Sequence, residues 1–179
     1  MAAGVTVIRP AGTDDLPRIL DIYNHEVLVS TATYDTTPRT MPEQVEWFSH
    51  HGPGHPVLVA EDAGSITGWA SLSPWSDRPA YDRSAEVSVY VAEEHRGKGQ
   101  GRLLLQALID AARGRGHHVL LARISADNVV SIRLHEKLGF SEVGLLREVG
   151  HKFGRVLDVS IMELMLETPT ASSSPLPAR

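Results

Sequence analysis

An α+β domain with one central sheet, about seven strands flanked by about four helices, is the architecture this sequence predicts. Three observations carry the prediction. Runs such as Ala85-Glu86-Val87-Ser88-Val89-Tyr90-Val91 are rich in β-branched and aromatic residues and lie between turn formers. Apolar residues recur at helical spacing at Leu16, Ile19, Leu20, Tyr23 and Val27, again at Leu104, Ala107, Leu108 and Ala111, and again at Val130, Leu134 and Leu138. A basic, glycine-rich stretch joins one of these strands directly to one of these helices.

Taken in order, residues 5–9 alternate weakly and run into Pro10, which reads as a first strand and its end. Thr13 is the expected N-cap of the first helix, with the acids Asp14 and Asp15 in its first turn. A long connection, residues 30–39, leads to Thr40-Met41-Pro42-Glu43. That tetrapeptide is a capping box with proline in the first turn, opening a short helix that runs to Phe48 and stops at Gly52-Pro53-Gly54. Residues 56–61 and 66–72 make a hairpin around Asp62-Ala63-Gly64-Ser65, and an aromatic loop over 74–83 leads into the strand at 85–91.

The helix after the basic loop ends at Gly114 and Gly116. Residues 118–124 form the next strand, Asn128 or Ser125 caps the next helix, and Gly139 closes it with Phe140 as the apolar partner of that cap. Residues 140–149 and 156–166 are the last two strands, around Lys152-Phe153-Gly154-Arg155. From Thr168 onward the chain is Thr, Ser, Pro and Ala, with too little apolar area to offset ordering entropy. A single domain over residues 1–167 and a disordered tail over 168–179 are therefore expected.

Composition narrows the chemistry. The absence of cysteine excludes disulfides, thiolate zinc sites and an acyl-cysteine intermediate. His50, His51 and His55 flank a Gly-Pro turn without ligand spacing, so no metal is expected. No apolar run approaches the roughly 20 residues that span a bilayer, and residues 1–20 lack a signal peptide's apolar core, which makes the cytoplasm the default location. A net charge of -5 argues against a nucleic-acid partner.

The basic stretch, Arg96-Gly97-Lys98-Gly99-Gln100-Gly101-Arg102, suits an anion. Unpaired amides at a helix start favour negative charge, and glycines reach positive φ freely and let a chain approach a phosphate closely. The bases Arg96, Lys98 and Arg102 add attraction, so a pyrophosphate fits. No Gly-Lys-Ser/Thr closes the loop, which excludes the Walker pattern, and Leu104 stands where the Rossmann pattern needs its third glycine. Read alone, the stretch is also compatible with a solvated glycine turn.

Context resolves that choice. Arg-x-x-Gly-x-Gly after a strand, followed by Asn128 and then Leu134-His135-Glu136-Lys137-Leu138-Gly139-Phe140, resembles the GNAT superfamily of acyl-CoA N-acyltransferases over roughly residues 5–167. Finer features are similar to the phosphinothricin and methionine sulfoximine acetyltransferase branch: Tyr23-Asn24-His25, Trp75 with Arg78, Tyr81 and Asp82, Glu86 ahead of Val89-Tyr90-Val91, and Gly150-His151-Lys152.

The resemblance implies acetyl-CoA as cosubstrate, direct acetylation of a small amino-acid-like amine, a mixed, mostly antiparallel sheet and a homodimer. Coenzyme contacts then fall to Val89, Tyr90, Val91, Arg96, Gly97, Lys98, Gly99, Gln100, Gly101, Arg102, Asn128 and Ser131, with a backbone N–H of the 89–91 stretch facing the oxygen that gains charge. Glu86 is the implied general base, acting directly or through water, because an amine attacks a thioester only when unprotonated. Many family members place a tyrosine seven residues after the equivalent of Asn128, to steady the leaving thiolate. This chain has His135 there, as the narrower branch does; a helix histidine satisfied by a neighbour is the competing reading.

Arg78 and Tyr81 are expected to orient the substrate carboxylate, Tyr34, Trp75 and Phe153 to wall the pocket, and Lys152 to meet an acidic group of the substrate. Acetylation of a protein N-terminus or an aminoglycoside, or a CoA sensor without catalysis, are the alternatives.

Overall fold

Residues 6–166 are described by a computed structural model of the chain. Along the chain come β1 (Val7–Pro10), α1 (Leu16–Val29), α2 (Met41–Ser49), β2 (Val57–Asp62), β3 (Ser65–Pro74) and β4 (Ser84–Val91). Then follow α3 (Gln100–Gly114), β5 (Val119–Ser125), α4 (Val129–Glu136), β6 (Ser141–Lys152) and β7 (Arg155–Met165). Residue 5 and the proposed tail, 168–179, lie outside the described residues.

The seven strands form one sheet in the order β1-β2-β3-β4-β5-β7-β6. Every neighbouring pair is antiparallel except β4 and β5. Those two pair in parallel only at Ser84↔Val119, Ala85↔Leu120 and Glu86↔Leu121. β4 runs on to Val91 and β5 to Ser125, so the sheet splits beyond Glu86.

Each sheet face buries its own helices. Leu104, Leu105 and Leu108 of α3 pack on Ala85, Val87, Leu120, Ala122 and Met162. On the other face Ile19, Ile22 and Tyr23 of α1 meet Val57, Val59 and Trp69. Burying each such leucine or isoleucine side chain contributes about 1.5–3 kcal/mol before conformational entropy is set against it. Alternation along β4 therefore sends Ala85 and Val87 toward α3, and Glu86, Ser88 and Tyr90 to the opposite face.

Most turn chemistry follows the sequence reading. Thr40 and Glu43 form the reciprocal capping box, the Thr40 amide donating to Glu43 at 2.7 Å. Both hairpins turn on two residues of positive φ, Ala63-Gly64 (49° and 79°) and Phe153-Gly154 (52° and 70°), the geometry that matches strand twist. After α4, Gly139 at φ 94° lets the Phe140 amide reach the His135 carbonyl and its own amide reach Glu136.

The start of α1 differs from expectation. Thr13–Asp15 form a short 3-10 turn rather than a capped first turn. Asp15 instead accepts two bonds from Arg9, at 2.7 and 2.9 Å, and one from the Gly12 amide at 2.8 Å. The guanidinium holds the Asp15 carboxyl below its ordinary range, and the same carboxylate, rather than Thr13, takes the amide at the start of the turn. Among the described residues no helix is long and apolar enough to cross a membrane.

Candidate active site

Where β4 and β5 part, a cleft of about 550 Å³ opens. Val89, Tyr90 and Val91 line one wall, Asn128, Ser131 and Leu134 the other, and the glycine turn its end. Asn128 caps α4, its Oδ1 accepting the Ser131 amide at 3.1 Å, which fixes both residues at the cleft edge. Val130, expected on a buried stripe, is instead 82% exposed and lines the mouth.

The turn carries the geometry an anion needs. Gly97 and Gly99 sit at φ 74° and 84°, as expected. The first helical bonds, from the amides of Arg102 and Leu103, both end on the Gly99 carbonyl at 3.1 and 3.2 Å. The amides of Gln100 and Gly101 therefore precede the ladder and are left at the positive end of α3. Gln100 is buried and its Oε1 has no partner among the described residues, an orphan that a bound molecule's donor would satisfy.

Gly101 serves a different purpose from that expected. Its φ is not positive; a Cβ there would meet Leu134 Cδ2 at 3.3 Å and Val91 Cγ2 at 3.7 Å. It keeps α3 close to α4 and β4. The basic side chains also divide. Arg96 donates to the Val91 carbonyl at 3.1 Å and pairs with the buried carboxylate of Glu26. Lys98 bonds the Glu94 carbonyl at 2.9 Å, while Arg102 lines the cleft.

Glu86 stands on the last paired rung of β4 and β5, where the strands begin to part; like Arg123 and Trp75 it lies outside the cleft lining, three residues along β4 from Val89. Both its oxygens accept from Arg123 of β5, each at 2.6 Å, a bidentate ion pair. Arg123 also lies 5.6 Å from the Trp75 ring centre. Sequence reasoning missed Arg123. Its one signal was its alternate position in a strand, and that says nothing until the parallel partner of β5 is known.

His135 is buried away from the cleft lining. Its Nδ1–H donates to the Ser131 carbonyl at 2.8 Å and its ring packs edge-on against Phe140 at 5.0 Å. Burial lowers its pKa, which favours the neutral ring. The arrangement is that of a histidine satisfied by its neighbours.

The proposed substrate residues fall into two groups. Arg78 and Tyr81 lie exposed in a 3-10 turn beyond Trp75, outside the cleft lining, and Phe153 is exposed on the β6–β7 hairpin. Tyr34 and Lys152 instead make internal contacts. The Tyr34 hydroxyl donates toward Ser125 Oγ at 3.1 Å and the Asp158 carbonyl at 3.0 Å. Lys152 is buried, its Nζ donating to the Thr33 carbonyl at 2.8 Å, and burial lowers its pKa. With Thr31 bonded to Asp127 at 2.9 Å, these contacts turn the 30–39 connection into a strap along the cleft, with Thr31 and Ala32 in its wall.

Known proteins match this arrangement. The acetyltransferase (GNAT) family profile covers residues 18–140. The chain is 46% identical over 168 residues to the L-methionine sulfoximine/L-methionine sulfone acetyltransferase of Pseudomonas aeruginosa, covering 93% of this chain and 97% of that protein. It superposes on a GNAT superfamily phosphinothricin acetyltransferase from Sinorhizobium meliloti in complex with AcCoA at a TM-score of 0.88, with 37% identity, covering 95% and 96% of the two chains. A ribosomal-protein-alanine N-acetyltransferase from Brucella melitensis gives 0.87 at 44% identity, covering 89% and 99%. A split sheet with an amide-rich turn at its opening, and a family profile spanning both, lead to one conclusion: the chain belongs to the acetyltransferase (GNAT) family.

Proposed function

We propose that the chain transfers an acetyl group from acetyl-CoA to the α-amine of a small amino acid of the methionine sulfoximine, methionine sulfone or phosphinothricin type. The observation that carries this reading is the cleft at the β4–β5 split, ended by the Gly97–Gly99 turn, with a carboxylate–guanidinium pair on the rung where the two strands begin to part. Relatives acting on these amino acids, or crystallised with the coenzyme, support it.

Acetyl-CoA supplies the activated acetyl thioester. The amides of Gln100 and Gly101, with Arg102 beside them, hold its pyrophosphate at the helix start. The exposed backbone of Val89, Tyr90 and Val91 flanks its arm, and Asn128 and Ser131 close the far side. Glu86 accepts the amine proton, and Trp75 forms a pocket wall over Arg123. A cytoplasmic setting, where acetyl-CoA is made, agrees with this chemistry.

The chain is further proposed to work as a homodimer built on β6. That strand is a sheet edge, and Val143, Leu145, Leu146 and Val149 along it are each 46–57% exposed. An apolar open edge of this length is one that natural proteins cover.

The test is an acetylation screen across amino acids, their sulfone and sulfoximine analogues, and short peptides with N-terminal alanine, reading CoA release. Preference for the free amino acids supports the proposal. Preference for the peptides supports the activity named for the Brucella protein. Acetyl-CoA binding without turnover on any amine identifies a sensor.

A further inference from the structure

Glu86 and Arg123 satisfy each other in the described structure, and that pairing is a problem for a base. Both carboxylate oxygens accept from one guanidinium at 2.6 Å, so the edge of Glu86 that an ammonium would meet is already occupied by Arg123. The two partners differ in exposure: the Glu86 side chain is 16% exposed and that of Arg123 is 57% exposed. An incoming anion therefore reaches the guanidinium before it reaches anything else in the pair.

We infer that the substrate's own α-carboxylate takes Arg123 away from Glu86, so that binding of a free amino acid unlocks the base that deprotonates it. The inference rests on the acetyltransferase reading above and adds a residue and a substrate rule to it.

A zwitterionic amino acid is the complement of this ion pair. Its carboxylate offers the guanidinium the same bidentate geometry that Glu86 gives it. Its ammonium lies next to that carboxylate and so faces the freed Glu86. The exchange leaves no buried charge alone, because each group trades one opposite partner for another. One N–H bond of the ammonium then breaks and its proton passes to a Glu86 oxygen. The nitrogen keeps the electron pair with which it attacks the acetyl carbonyl; the C–S bond then breaks, the nitrogen's second proton goes to the departing thiolate to give free CoA, and Glu86 returns its proton to solvent.

The Trp75 ring centre lies 5.6 Å from the Arg123 guanidinium carbon, within the range of a cation–π contact. Arg78, the residue that sequence reasoning chose as carboxylate anchor, is exposed on the turn beyond Trp75, whereas Arg123 is the guanidinium that bonds both oxygens of Glu86. A peptide N-terminus carries no α-carboxylate and would leave the pair closed, which sets free amino acids apart from protein substrates.

The test compares L-methionine sulfone with its carboxylate-free counterpart, 3-(methylsulfonyl)propylamine, in the wild type, Arg123→Gln, Arg123→Lys and Arg78→Ala, with kcat and KM separated and each variant's melting temperature recorded. The wild type is expected to prefer the amino acid by about 10²-fold or more in kcat/KM. Arg123→Gln should lower kcat/KM for the amino acid by roughly 30-fold, chiefly through KM, and raise it several-fold for the carboxylate-free amine, because Glu86 is then unlocked. Arg123→Lys should recover part of the amino-acid affinity, since it keeps the charge without the fork.

Equal losses on both amines in Arg123→Gln would mean a structural role and overturn the inference, as would an acid-specific rise in KM in Arg78→Ala with none in Arg123→Gln. A wild type that binds acetyl-CoA but turns over neither amine, nor any amine of the wider screen, would overturn the acetyltransferase reading and this inference with it.

Discussion

The Tyr34 ring fills the space that a side chain at Gly150 would need: a Cβ built there would overlap Tyr34 Cε2 and stand 2.7 Å from Cδ2. This contact seats the strap on β6 and lets the phenol reach Ser125 and Asp158. Gly150→Ala is expected to cost about 1–3 kcal/mol by overpacking and to raise the amine KM. In a Tyr34→Ala background the same change should cost roughly 0.5 kcal/mol or less, because the clash is gone. Denaturant titration of the four proteins checks it; equal costs in both backgrounds would place the strain elsewhere.

Glu86→Gln keeps the shape of the side chain and removes its capacity to take a proton. Turnover is expected to fall by roughly 10²-fold or more, while acetyl-CoA affinity by calorimetry stays near that of the wild type. Wild-type turnover would show that the base lies elsewhere.

The two inner glycines of the turn should fail for different reasons. Gly99→Val meets no atom within 4 Å, but its φ of 84° is strained for a branched residue, so the turn itself should deform and acetyl-CoA affinity drop tenfold or more, as at other left-handed positions where only glycine fits (about 1–2 kcal/mol per residue). Gly101→Val has an ordinary φ and collides with Leu134, so its main effect should be on melting temperature. Unchanged coenzyme affinity in Gly99→Val would remove the phosphate-cradle argument.

Glu26 is buried in α1, yet it pairs with Arg96 of the turn and accepts from Ser30 Oγ at 2.7 Å. Glu26→Gln should weaken acetyl-CoA binding several-fold by loosening Arg96, and raise the amine KM by loosening the strap. Ser30→Ala should show only the second effect. Loss of stability with both affinities unchanged would reduce Glu26 to packing.

The lowered pKa of His135 gives a signed expectation. The unfolded chain, with an ordinary imidazole near 6.5, takes up a proton before the folded one does. The histidine's contribution to stability is therefore complete above about pH 6.5 and lost as pH falls through the lower folded value. His135→Gln should flatten the acid limb of the melting-temperature profile between about pH 7 and 5 and leave kcat within roughly threefold. A hundredfold fall in kcat would instead make His135 the proton donor.

Local chemistry was legible wherever the determinant is itself local. The capping box at Thr40, the hairpin turn at Ala63-Gly64, the helix stop at Gly139 and the positive φ of Gly97 and Gly99 depend on a few consecutive residues. The glycine turn and the Gly139 stop also belong to the family motif, so the end of the cleft that the turn forms could be read from consecutive residues alone. Arg123, Glu26 and the use of Tyr34 and Lys152 could not. Each acts through a partner at least 37 residues away in the chain.

The sequence by itself determined the order and type of the elements, the glycine turn and the membership they imply, because backbone preference and apolar periodicity are properties of short windows. Tertiary structure alone decided which charges meet. Whether the Glu86 carboxylate is free or paired depends on β5 lying parallel beside β4 and on the rung where they separate. An ion pair forms from distance in space, and separation along the chain carries no record of it.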